Sequence, residues 1–334
     1  MTEPALRLGT LRLGSRKSPM AIVQSELVAR LITERTGRRV EIVGVTTLGD
    51  VSRAQLTQIG GTGVFVSALR EALLGGEVDL AVHSLKDLPA GAARGITLAA
   101  VPPRDDPRDA LAARDGAKLA DLPAGARIGT GSPRRAAQLL ALRGDLQTVP
   151  IRGNAGTRLR KVSDGELDGV VLACAGLARI GYTAAITQVF ELDEMLPAPG
   201  QGALAVECRD DDPELAGLLA AVNDEASMAA AVAERSLLEA LAAGCSAPVG
   251  GYAAVPRAGG SGGVVPPGQH RHLLMRAAVL SADGTRALRA HGSAPAADAR
   301  RLGQDLAAEL LRRGAADFIS SPMDPTSSSG NDVQ

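Results

Sequence analysis

Short apolar runs separated by polar, glycine-rich breaks dominate the first two thirds of the chain, the pattern of strands and helices in alternation. Residues 11–15 predict a strand. A helix follows from Ser18–Pro19 to about Thr36, because serine caps a helix start and proline suits its first position. Met20, Val23, Leu27 and Leu31 make its expected apolar face, and Gly37 ends it. Residues 40–46 predict a second strand, 47–61 a mobile loop carrying TLGD, and 62–74 a helix. The stretch GGEVDLAVHSLKDLP, residues 75–89, then stands out. Its apolar run Leu80–Ala81–Val82 is long enough for a buried strand, and His83, Ser84, Lys86 and Asp87 follow at once. In open α/β sheets, ligands sit beyond the carboxyl ends of strands. Residues 96–101 predict a further strand.

The rigid, charged stretch PPRDDPRDA, residues 102–110, predicts a hinge into a second unit built like the first. That unit has a strand at 127–129, a helix from Ser132–Pro133 to about Arg143, a strand at 149–151, a helix at 154–163 and a strand at 168–173. The helix starts SPMAIVQ and SPRRAAQ both read Ser-Pro, four residues, Gln, a weak sign of duplication. LPAPGQG, residues 196–202, is a second crossing, after which 203–208 predict a strand returning to the first unit. A long alanine-rich helix is expected over 223–243, followed by GCSAPVGGY. Residues 273–280 and 287–291 alternate like a hairpin, and Leu302, Leu306 and Leu310 mark a last helix over 296–313. The expected organisation is two α/β lobes, 1–103 with 202–222 and 104–201, a C-terminal α+β domain over 223–322, and a disordered tail over 323–334.

Composition narrows the function. A net charge of −1 over 334 residues gives no overall field for nucleic acid, and a chain with no Trp, 2 Tyr and 3 Phe has little for stacking on bases. No apolar run reaches the roughly 18–20 residues of a membrane span, and no signal-peptide pattern is present. Three widely spaced cysteines make no disulfide framework, which points to a reduced, cytoplasmic setting. Cys174 and Cys208 lie in apolar runs and read as core residues, whereas Cys245 sits in a Gly-Cys-Ser loop, either as a small buried residue or as a nucleophile or attachment point. Four histidines without paired spacing offer no zinc site, and neither a P-loop nor a GxGxxG follows a strand.

Basic residues recur where strands give way to helices: Arg16 with Lys17, Arg134 with Arg135, Arg152, Arg158 and Arg179. Helix N-termini favour anions, and the guanidinium fork matches carboxylate or phosphate. A surface salt bridge explains any one of them; the recurrence in two matched units predicts a polyanionic ligand held between two lobes.

The segments RLGSRKSPMAIVQ, TTLGD, AVHSLKDLP, DDPRDAL, IGTGSPRRAAQL, IRGNAGTRLRKV, LACAGLARIG, PAPGQGALAVECR and AERSLLEALAAGCSAPVGGYA closely resemble the porphobilinogen deaminase (hydroxymethylbilane synthase) family, in family order. The resemblance implies two lobes like a solute-binding protein and a dipyrromethane cofactor joined through a thioether to Cys245. It implies head-to-tail condensation of four porphobilinogens with loss of ammonia, then hydrolytic release of the linear tetrapyrrole. It assigns Asp87 as the catalytic carboxylate, and Arg16, Ser18, Ser84, Lys86, Thr130, Ser132, Arg134, Arg135, Arg152, Arg158 and Arg179 to the carboxylate-rich cofactor and substrate chain. A monomer without nucleic-acid or membrane partners is expected. Thr62 departs from the pattern, standing where many relatives carry lysine, and so does the Gly/Pro-rich insertion 256–270. The rival reading is a non-catalytic cytoplasmic anion sensor on the same fold, which would need the arginines but not Asp87 together with Cys245.

Overall fold

The computed structural model describes residues 9–45, 63–243, 247–256 and 272–319. The expectations for the 47–61 loop, Thr62, Cys245, most of the insertion and the tail lie outside these residues.

The first sheet holds β1 (Leu11–Arg16), β2 (Val40–Val45), β3 (Leu80–Ser84), β4 (Ile96–Ala100) and β10 (Leu204–Arg209) in the order β2-β1-β3-β10-β4. The second holds β5 (Asp109–Ala113), β6 (Arg127–Gly129), β7 (Gln147–Val149), β8 (Gly169–Ala173) and β9 (Gln188–Val189) in the order β7-β6-β8-β5-β9. The two orders match position for position. Three strands are parallel, and the fourth, β10 or β5, is antiparallel to both neighbours. Each antiparallel strand comes directly from a crossing segment, so the chain leaves for one lobe and returns to the other beside the central strand.

The equivalence reaches side chains. Helices α1 (Pro19–Thr36) and α3 (Pro133–Leu142) follow β1 and β6; α2 (Gly63–Leu74) precedes β3. The Ser18 and Ser132 hydroxyls cap their helices, accepting from the N–H groups of Ala21 and Arg135, and each proline takes the first turn, where an N–H would go unused. The repeated glutamines, Gln24 and Gln138, are both buried, so the Ser-Pro-x4-Gln echo marks equivalent positions. Gly37 closes α1 at φ 70°, a left-handed conformation that glycine adopts without steric cost.

Two local expectations are corrected. The most buried face of α1 is Gln24, Ser25, Val28 and Ile32, one residue on from the expected stripe, which is only half-buried. The helix packs on the sheet and also meets the second lobe, where Met20 approaches Gly176, so its covered arc is wider than a one-sided pattern predicts. The third strand of the second lobe lies at 147–149, because Val149 pairs with Gly129, and Ile151 lies in the loop beyond it.

Helices α4 (Ala155–Ser163), α5 (Cys174–Arg179) and α6 (Pro213–Leu219) complete the lobes. Helix α7 (Glu225–Ala240) then enters an antiparallel sheet of β11 (Val249–Ala254), β12 (His272–Leu280) and β13 (Ala287–Pro295), with α8 (Ala299–Arg312) packed beside α7. The predicted Leu302, Leu306 and Leu310 stripe is buried against Leu237, Leu241, Leu273 and Met275. Among the described residues, no single helix is long and apolar enough to cross a membrane.

The crossings are pinned. Glu234 of α7 is fully buried; its carboxylate takes two Arg104 nitrogens and the N–H groups of Gly200 and Ala253. One side chain thus ties the 102–110 segment, the 196–202 loop and β11. Gly200 and Gly202 have φ of 80° and 86°, and a Cβ there would lie 2.9 Å from the Lys86 nitrogen and 2.7 Å from the Asp105 carbonyl oxygen, so both close approaches require glycine.

Candidate functional site

The β3 run Leu80–Val82 is buried on both faces, which holds its carboxyl end still. Ser84 ends the strand, and its hydroxyl exchanges hydrogen bonds with the Gln24 amide, 2.9 and 3.3 Å. A 3-10 turn, Leu85–Asp87, follows. Leu85 and Leu88 are buried anchors on either side, leaving Lys86 and Asp87 half-buried between them. The Lys86 ammonium lies 3.4 Å from the Gln201 amide oxygen.

In the second lobe the centre is a residue with no local signal in the sequence beyond its place in a charged stretch. Asp109, first in β5, is fully buried. Its Oδ2 accepts from Arg134 Nη1 at 2.7 Å; its Oδ1 accepts from Arg135 Nε and Gln201 Nε2, both at 2.9 Å. Burial opposes its charge, but the two guanidinium groups win and hold Asp109 well below the usual carboxylate range. Arg134 and Arg135 are likewise buried, and donate further to the carbonyls of Leu196 and Val171. Buried Thr130, beyond the end of β6, accepts from the Ser132 N–H.

Burial and the nearby Arg135, opposed by Asp87 and Asp109, bring Lys86 from 10.5 down to about 8. Arg158, which donates to the Gly153 carbonyl at 2.8 Å, has its pKa lowered by burial and by Arg135. Lys86 and Asp87 of one lobe therefore share a field with Asp109, Arg134, Arg135 and Arg158 of the other, and the cations outnumber the carboxylates. Gln201, in the crossing loop, touches both halves.

The remaining expected residues divide. Half-buried Arg16 ends β1, and half-buried Ser18 caps α1. Arg152 is exposed beyond β7. Arg179 is tied to Asp105 at 2.9 Å and to the Gly202 carbonyl at 2.8 Å, so its fork braces the crossing. Cys245 lies outside the described residues. Burial, the largest cause, pushes the Cys174 and Cys208 thiols up to about 12 and 11, so neither supplies a thiolate near neutrality.

This donor set fits an oligopyrrole bearing several carboxylates. Arg134 Nε is buried with no hydrogen-bond partner among the described residues, and an excess of cations in a desolvated space favours anionic groups. The group would be held by Arg134, Arg135, Arg158 and Lys86.

A two-lobed α/β scaffold whose strand ends converge on clustered arginines and a Lys-Asp turn defines a protein of the anion-binding class. Family descriptions agree: "Porphobilinogen deaminase, dipyromethane cofactor binding domain" matches residues 11–217, and "Porphobilinogen deaminase, C-terminal domain" matches 228–312. Porphobilinogen deaminase of Thermobifida fusca is 54% identical over 319 residues, 92% of this chain and 95% of that protein. Porphobilinogen deaminase 1 of Streptomyces coelicolor is 51% identical over 328 residues, 96% and 98% of the two chains. Among solved structures, an ABC-transporter periplasmic substrate-binding protein from Coxiella burnetii is similar over 64% of this chain and 92% of its own, at 19% identity and a TM-score of 0.41, too low to add to the topology above. The chain belongs to the porphobilinogen deaminase family. It is a transferase of tetrapyrrole biosynthesis that condenses four porphobilinogen molecules head to tail, releasing ammonia, onto a covalent dipyrromethane cofactor, and frees hydroxymethylbilane by hydrolysis. The sensor reading finds no support in these similarities.

A pH dependence follows from Lys86. As pH rises through about 8, the folded protein loses this positive charge, and the KM for porphobilinogen should rise. Lys86→Met should start with the higher KM and lose this component of the profile. Stability should move the other way. Between about 8 and the ordinary 10.5 the unfolded chain holds the Lys86 proton and the folded chain does not, so the Lys86 contribution increases with pH. An unchanged KM profile in Lys86→Met would remove the lysine from substrate binding.

Proposed function

We propose that Asp87 is the catalytic carboxylate, that Cys245 carries the dipyrromethane, and that Arg134, Arg135, Arg152 and Arg158, with Lys86, bind the carboxylates of the cofactor and growing chain. Arg16, Arg179, Ser18, Ser84, Thr130 and Ser132 complete and brace this surface. The observation that carries the reading is the Lys86–Asp87 turn, which ends the buried central strand within the field of Arg135 and Asp109. Bound dipyrromethane supplies the acceptor pyrrole for the first substrate. Loss of ammonia from porphobilinogen needs a proton and leaves a cation on the substrate. A fixed carboxylate at Asp87 can shuttle that proton and stabilise the cation facing it. The arginines orient the propionates and acetates, so each addition occurs within the complex.

The enzyme acts as a cytoplasmic monomer, with porphobilinogen as substrate and neither nucleic acid nor membrane as partner. The near-zero charge and the scarcity of aromatic residues support this reading. The three sheets support two lobes, 1–103 with 202–222 and 104–201, and a C-terminal domain over 223–322. Intact mass is the direct test of function. The purified protein should weigh more than its chain by one dipyrromethane, and porphobilinogen should add successive pyrrole units. A bare chain mass that never shifts with substrate would sink the proposal.

The arginines make a separate prediction. Losing a charge-assisted hydrogen bond costs about 1.5–3 kcal/mol, roughly ten- to over a hundredfold. Replacing Arg134, Arg135, Arg152 or Arg158 by leucine should impair cofactor assembly or stall elongation, seen as partly elongated enzyme by mass. Normal assembly and turnover in all four variants would place the binding surface elsewhere.

A further inference from the structure

Beyond the buried Leu88 anchor, which packs with Leu85, Val101 and Ala231, the chain after the catalytic turn makes few hydrogen bonds. Among the described residues from Asp87 to Arg94, the hydrogen bond to another element is the one from Arg235 Nη2 to the Ala90 carbonyl, 3.0 Å. Arg235 sits on α7, the helix that runs toward the Cys245 loop. Before the turn, the opposite flank is fixed differently. Buried His83 lies 3.3 Å from Glu207 Oε2, and Glu207 takes Arg70 with both oxygens, at 3.0 and 2.6 Å. Glu207 is thus committed to Arg70 and His83, and it attracts Arg235 only through space. Arg235 Nη1 is buried with no hydrogen-bond partner among the described residues. Holding a guanidinium there costs desolvation that an apolar side chain would avoid. What the arginine adds is a single directed bond to the segment three residues past Asp87.

We propose that Arg235 is a positioning residue for the known reaction. From α7 it holds the Leu88–Ala90 backbone and so fixes where Asp87 points relative to the helix leading to the cofactor loop. The inference rests on the reading of Asp87 as the catalytic carboxylate. A misplacement of about 1 Å in a catalytic group can cost around a hundredfold in rate while substrate binding is little changed.

The test compares Arg235→Met, which keeps the stem and removes the donor, with Arg235→Lys, which keeps a donor and the charge. Cofactor content is read by intact mass, and motion of residues 84–95 by peptide-resolved hydrogen exchange. In Arg235→Met, kcat should fall about ten- to a hundredfold with the KM for porphobilinogen within about threefold, and exchange at 84–95 should quicken. Arg235→Lys should recover part of both. A cofactor-loaded Arg235→Met with wild-type kcat overturns the proposal. A raised KM at constant kcat also overturns it, since that marks direct substrate binding. If the methionine variant does not fold, the lysine variant decides: wild-type exchange and wild-type kcat overturn the proposal, and intermediate values of both uphold it. Asp87→Asn is assayed in parallel. Retained turnover there, with loss in Arg235→Met, would reject Asp87 as the catalytic carboxylate while leaving Arg235 as the tether of its segment.

Discussion

Cys245→Ser is expected to yield a folded protein with no dipyrromethane and no turnover. A serine hydroxyl is far less nucleophilic near neutrality than a cysteine thiol, so the thioether cannot form in its place. The other two cysteines cannot substitute. Cys174 opens α5 and Cys208 lies within β10, both buried, and burial raises both thiols far above neutral pH. Cys174→Ala and Cys208→Ala should therefore keep the cofactor, with losses confined to stability. Removing a small buried side chain leaves a cavity and lowers stability by about 1 kcal/mol. Intact mass of the three variants checks this. Cofactor retained in Cys245→Ser, or a cofactor-bearing peptide containing Cys174 or Cys208, would overturn the assignment.

For Asp87→Asn the expected result is a folded, cofactor-bearing protein whose turnover has fallen at least about a hundredfold, the lower end of what a positioned proton-transfer group contributes. The amide keeps the size and part of the hydrogen bonding but cannot stabilise a developing cation. That interaction is stronger in the transition state than in the ground state, so the loss should appear in kcat more than in KM. The neighbouring turn should survive, because Leu85 and Leu88 anchor it and the Leu85 N–H is held by the Ala203 carbonyl at 3.0 Å. Asp87→Glu retains the charge one methylene away and should keep more activity than the amide. Lys86→Met controls for an indirect effect through the adjacent ammonium. Near-normal turnover in cofactor-loaded Asp87→Asn would falsify the catalytic role.

Local chemistry made much of the scaffold readable. Ser18, Pro19 and Gly37 delimit α1 because capping and φ preferences act within a few residues. The central strand could be read because Leu80–Val82 is an uninterrupted apolar run, and the HSLKDLP and GCSAPVGG segments carried the resemblance to the family. The missed elements lacked such signals. The β5 strand begins with an ionised aspartate, and β11 contains two glycines, so neither resembles an isolated apolar run. The 102–110 stretch reads as a rigid, charged hinge, and the fold adds that Arg104 pairs with Glu234 and that Asp109 is fully buried. Charge alone does not distinguish a wet linker from a pinned one; the partners do, and they lie far along the chain.

Periodicity and capping are local properties, so the class of fold was legible in the chain, and the resemblance of its motifs supplied the family and the residue types of the site. Only the tertiary structure decided how those residues are used. Arg135 and Gln201 meet Asp109 across sequence separations of 26 and 92 residues. Arg134 and Arg135, legible only as anion-binding forks, are each also oriented by an internal carboxylate, while Arg179 braces a crossing loop. Lys86 acquires a pKa of about 8 from burial and a neighbouring guanidinium in the other lobe. These are effects of desolvation and of charges brought within a few ångströms, and such distances exist only once β10 and β5 have returned the chain to the two central strands.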